Sequence, residues 1–191
     1  MIDKKAIKEL FNKVVNIEKK LWEKGHGPCP TFYLVQPMGK DGKLGLMDVS
    51  AVVEHKTRHV KRGRTLVDAW YCELAGISAM AKPLAVVMQT VGWRHSPDKD
   101  KTMEETMESY EDKPIRDRDD KIPVLNAQLV AYNKNGFHVY SIMSATDIIY
   151  DANDKFEAFG EEFTYETSNE ESEGVQSIST LAEVCQWGGG R

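Results

Sequence analysis

Long apolar runs are missing from this chain of 191 residues. None approaches the ~20 consecutive apolar residues that carry a helix across a bilayer, so no membrane partner is expected. The opening MIDKKAIKELF mixes charge into the apolar pattern from the start and does not read as a secretory signal. Cysteine is scarce as well. Cys29, Cys72 and Cys185 are odd in number, far apart and outside any CxxC pair. That argues against a disulfide scaffold and a cysteine zinc site, and for a reducing cytoplasm. Catalytic signatures are absent too: no GxSxG elbow, no Walker A or GxGxxG loop, no His-Glu-x-x-His. Cys29, held between Pro28 and Pro30, has no identifiable activating partner. The sequence therefore calls for no cofactor and no metal.

What is there suffices for one packed domain. Hydrophobic residues make up 41% and charged residues 29%, a balance that supports a core and argues against wholesale disorder. The net charge of −5 is unevenly placed. From 151 to 173 nine acidic residues meet one lysine, a local −8, which leaves the rest of the chain at about +3. So mild an excess lacks the broad positive field of a dedicated nucleic-acid binder, and nucleic acid is not expected as a partner.

The pattern along the chain predicts an α+β domain. Over 3–24, Ile7, Leu10, Phe11, Val14, Val15, Leu21 and Trp22 recur every three or four residues, the stripe of an amphipathic helix that Gly25 is placed to stop. TFYLVQP (31–37) and LGLMDVSAVV (44–53) read as a hairpin across the GKDG turn. A second helix should begin at Thr65 as N-cap, with Asp68 three residues on, and end at Lys82-Pro83. LAVVMQTVGW (84–93) is apolar enough for a central strand. PVLNAQLVAY (123–132) and FHVYSIMSA (137–145) form a second hairpin around NKNG. The expectation is a mostly antiparallel sheet of about five strands, with both helices packed on one face. The domain spans 1–150 and carries a charged insertion at 96–121. Residues 151–191 form an acidic, partly ordered extension in which Phe156, Phe159, Phe163 and Tyr165 could anchor to the body, with a short helix at 179–187. In this arrangement the chain resembles many short prokaryotic and phage proteins, a likeness that carries no activity.

Three constellations hold the chemistry-bearing residues. The insertion contains Pro97-Asp98 and Glu111-Asp112-Lys113, the residue types with which PD-(D/E)xK nucleases hold Mg²⁺ and activate water; Asp98, Glu111 and Lys113 would be its catalytic set. Such carboxylates need rigid strands, however, and 98–121 is so rich in charge that Asp119-Asp120-Lys121 matches as well. A solvated loop is the simpler reading. Within it TMEETMESYE (102–111) could coil so that Met103, Met107 and Tyr110 make a docking stripe. The second constellation is HKTRHVKRGR (55–64), where Lys61, Arg62, Arg64 and Thr65 precede or open a helix whose free N–H groups would favour an anion. Its lone Gly63 forms no phosphate-binding loop, and the cations around His55 and His59 oppose zinc. His26 and His138 stand alone and carry no catalytic assignment. The third is Trp93-Arg94-His95-Ser96, where a strand hands over to the insertion. An acid–base pair of His95 with Asp48 or Asp68 is conceivable there, though a structural role is the simpler account.

The leading expectation is a non-enzymatic protein-interaction or assembly module, with a protein partner or self-association. Metal-dependent hydrolysis, or anion or nucleotide binding at 55–65, are the rivals.

Overall fold

The structure, a computed structural model, describes residues 3–26, 30–38, 43–60, 64–95, 115–133 and 138–168, together with 102, 105, 108 and 113. Among the described residues, three α-helices and six strands follow in the order α1 (Lys4–Glu23), β1 (Thr31–Met38), β2 (Lys43–Asp48), α2 (Ser50–Thr57), α3 (Arg64–Ala81), β3 (Ala85–Arg94), β4 (Ile122–Tyr132), β5 (His138–Tyr150) and β6 (Phe156–Ser168). The strands form one antiparallel sheet ordered β2-β1-β3-β4-β5-β6. The α+β class stands, with six strands where the sequence suggests about five. Among the described residues no helix is long and apolar enough to cross a membrane.

The first helix forms where its stripe requires. Asp3 caps it, its carboxylate accepting from the Ala6 N–H at 3.0 Å. Ile7, Phe11, Val14, Val15 and Trp22 are buried. Leu21, assigned to the same stripe, is 39% exposed, and Glu18 takes a buried position instead. At its end Gly25 (φ +79°) donates to the Trp22 carbonyl and His26 to that of Leu21, a Schellman closure that needs the left-handed conformation glycine adopts freely.

The helices do not share one face of the sheet. Alternation along β3 explains why. Ala85 and Val87 pack beneath α1 with Val35, Leu129 and Tyr140. Val86 and Met88 face the other way, under α2 and α3, with Phe32, Leu34, Val53 and Leu74. A strand buried on both sides reads as a continuous apolar run, and each of its faces needs its own cover. α1 takes one face, α2 and α3 the other.

Two further corrections concern element boundaries. Residues 50–53, expected to continue the second strand, begin α2. The chain turns at Asp48, whose carboxylate accepts from the Ser50 N–H at 2.8 Å, while the Ser50 hydroxyl accepts from the Phe32 N–H at 2.9 Å. Val52 and Val53 favour strands by propensity, yet burial of Val53 against the sheet decides in favour of the helix. α3 begins at Arg64, so Thr65 lies in its first turn and is not its N-cap. The sixth strand, β6, comes from the acidic stretch. Its inward side is held by α1: Lys8 pairs with Glu166 at 2.5 Å and Lys19 with Glu162 at 2.7 Å. The Lys4 ammonium donates to the Ser168 hydroxyl at 2.6 Å. The helix expected at 179–187 lies outside the described residues.

Candidate functional site

The best-organised polar cluster sits where β3 ends and β4 begins. Arg94 points to the α2–α3 side of the sheet and reaches across β4 to Asp147 of β5. Its Nε donates to Oδ1 and its Nη2 to Oδ2, both at 2.6 Å. Both side chains are largely enclosed, so this two-point pairing offsets their lost hydration. The guanidinium also lies 4.7 Å from the centroid of the Phe163 ring. Beside it, Gly92 of β3 leaves room for the Asn126 side chain, since a Cβ there would stand 2.5 Å from Nδ2.

His95 follows. Its ring is 6% exposed and its Nε2 lies 2.8 Å from Asp120 Oδ2, while Arg118 Nε approaches Oδ1 of the same carboxylate at 3.5 Å. The His95 hydrogen bond holds the Asp120 carboxyl below its ordinary value. Lys121 lies over the Trp93 ring, 4.8 Å from its centroid. These contacts join the two ends of the 96–119 excursion and give it a fixed base. A histidine–carboxylate pair can also orient an imidazole for proton transfer. Here the carboxylate is shared with an arginine and the ring is enclosed, which suits a clasp better.

The expected site residues fall as follows. Asp98 and Glu111 lie outside the described residues, as do Met103, Met107, Tyr110, Lys61 and Arg62. Lys113 is exposed and donates to Asp119 at 3.4 Å. Asp119 faces solvent while Asp120 and Lys121 turn to different partners, so that triplet does not converge. Arg64 and Thr65 are placed by their backbone in the first turn of α3. His95 pairs with Asp120; Asp48 is instead engaged with Ser50, and Asp68 is exposed on α3. His138 is buried at the head of β5, where burial pushes its pKa down. Thr102 and Glu105 make a reciprocal capping box, with Thr102 N–H to Glu105 Oε2 at 2.8 Å and Glu105 N–H to Thr102 Oγ1 at 3.2 Å. Among the described residues no group of three or more His, Cys, Asp or Glu is gathered as a metal site would require. Asp120, read from the sequence only within a D/E-x-K match, and Asp147 were not foreseen as the partners of His95 and Arg94. They meet their partners across 25 and 53 residues, and no local spacing marks such a pairing.

Next to this cluster lies a part of the sheet that no described helix covers. α2 and α3 pack over β1, β3 and the C-terminal end of β4, and leave the β5–β6 half of that face open. Phe163 is 43% exposed and Tyr165 58%, opposite Ala145 and Met143 in the ladder. β6 is also the outer strand, so one of its edges has no partner strand among the described residues. Compared with family models, with curated proteins and with solved structures, the chain finds no match.

Proposed function

We propose that this chain is a non-enzymatic protein-interaction module that accepts an extended segment of another protein along the free edge of β6. The observation that carries the reading is the pair Phe163 and Tyr165, two aromatic side chains exposed on the half of the sheet that α2 and α3 leave bare. Strand addition supplies main-chain hydrogen bonds, and alternate side chains supply specificity. Glu161, two residues before Phe163, is exposed as well, so the fitting segment alternates apolar and basic residues. Self-pairing of two β6 edges would gather glutamates from both copies, which favours a different protein as the partner. Met103, Met107 and Tyr110 of the insertion remain the second contact of this reading. Of the residues of the hydrolase reading, Lys113 is exposed and donates to Asp119, while Asp98 and Glu111 lie outside the described residues.

A photo-crosslinking residue at position 165 tests this in lysate of the producing cells. The expected result is one discrete adduct, absent when the probe sits at Val52 on exposed α2, and lost on combining Glu161→Lys with Phe163→Ser at unchanged melting temperature. Equal labelling from both positions, or no adduct from 165, overturns the proposal.

A further inference from the structure

Far from the open face, at the C-terminal end of α1, lies a cleft of about 420 Å³. That falls within the range of about 300–1,000 Å³ usual for small-molecule sites. We propose that it binds a free α-amino acid with an aromatic side chain, independently of any partner on β6.

Its two walls are stiff turns. One is the Schellman closure of α1, which fixes Glu23, Gly25 and His26. The other is the β5–β6 turn, in which the Asp151 carboxylate accepts from the N–H groups of Asn153 at 2.8 Å and Lys155 at 2.9 Å. The Asp151 N–H donates to the Lys155 carbonyl across the same turn, at 2.8 Å. The backbone of Lys155 is thereby fixed, and its side chain and that of Glu23 both line the cleft. Trp22 and Phe156 give it an aromatic lining, their ring centroids 5.6 Å apart, and Phe159 packs against both from outside the cleft, 6.1 Å from Trp22 and 4.9 Å from Phe156. Tyr150 closes the side.

The charges decide the ligand class. Glu23 and Lys155 line one cleft from its two walls, yet neither is paired with the other or with any other side chain among the described residues. One anion and one cation in a cleft with an aromatic lining match an ammonium, a carboxylate and a flat ring in a single small molecule. A purely cationic aryl ligand would meet Lys155, and a purely anionic one would meet Glu23. The Tyr150 hydroxyl and the His26 ring add hydrogen-bonding capacity at the cleft wall.

L-Phenylalanine is the probe, titrated into the full chain while amide chemical shifts are followed. The expected result is saturable movement centred on the amides of Gly25, His26, Tyr150, Lys155 and Phe156. Phenethylamine, 3-phenylpropionate and L-leucine, which lack the carboxylate, the ammonium and the ring, should each bind about tenfold more weakly, the cost of one lost charge-assisted or stacking contact. Glu23→Gln and Lys155→Met, both surface changes that leave the melting temperature in place, should each weaken phenylalanine by a similar factor. No saturable shift at these amides, equal binding of leucine and phenylalanine, or indifference to both substitutions overturns the assignment. The crosslinking readout at position 165 is unaffected by either result.

Discussion

The two faces of the sheet are closed by different physics. On one, α1 lays a single apolar stripe over β1, β3, β4 and β5, and then uses lysines to hold the last strand through Glu162 and Glu166. On the other, α2 and α3 bury Phe32, Leu34, Val86 and Met88 and stop short, leaving Phe163 and Tyr165 in contact with solvent. The first face is complete down to its edge. The second is complete only over the central strands, and its remainder is bridged by the Arg94–Asp147 pair. Packing energy is thus concentrated where the sheet is covered twice, whereas β6 is tied by charge on its α1 side and exposes Phe163 and Tyr165 on the other.

Substitutions on the two sides should expose that asymmetry in urea unfolding. Phe11→Ala on the α1 face removes a fully enclosed ring and should cost about 3–5 kcal/mol, whereas Phe163→Ala on the open face should cost under about 1 kcal/mol. Comparable losses would mean that the open face is in fact packed. Asp147→Ala leaves the enclosed guanidinium of Arg94 without its carboxylate and should cost about 2 kcal/mol, with little recovery in high salt. Next in size is Glu18, nearly buried on the sheet side of α1, whose carboxyl is pushed above its ordinary value by burial. The Trp22 indole one turn on offsets part of this without closing to hydrogen-bond distance. The folded protein therefore holds that proton more tightly than the unfolded chain. This stabilisation is complete below about pH 4.5, the carboxyl's ordinary value, and is lost as pH rises through the folded value. Glu18→Gln should then stabilise by about 1 kcal/mol at pH 7 and by less in acid, as thermal melts across pH would show. A gain independent of pH would sink the point.

The smallest effects belong to the lysine ties. Lys19 and Lys8 hold the Glu162 and Glu166 carboxyls below their ordinary value, so this contribution is present above about pH 4.5 and lost as pH falls through the folded values. Both carboxylates are well exposed, and each Glu→Gln change should cost no more than about 0.5 kcal/mol, vanishing in molar salt. Hydrogen exchange of β6 amides should report the loss even where global unfolding does not.

The α1 stripe was legible because helical periodicity over twenty residues leaves little choice, and its limits Asp3 and Gly25 are local signals. The β3 strand was legible from its unbroken apolar run, and that same run carried an unread consequence: a strand apolar on both sides needs two covers, so the helices had to separate. α2 was missed because valines at 52 and 53 read as strand until Phe32 supplies the partner that turns the chain at Ser50. β6 was obscured by its glutamates, which look like a solvated extension until Lys8 and Lys19 are placed opposite them. Trp93-Arg94-His95 was visible as a junction. The carboxylates that answer Arg94 and His95 were not, since each comes from a distant strand or turn.

Periodicity and punctuation alone determined the class of the fold, its first helix, its central strand and both hairpins, because those features depend on neighbours within a few residues. Tertiary structure decided which face each helix covers, which acidic residues are tied down and which aromatic rings stay bare. Those outcomes depend on side chains brought together from far apart in the chain, where burial and charge pairing act on distance in space and not on separation in sequence.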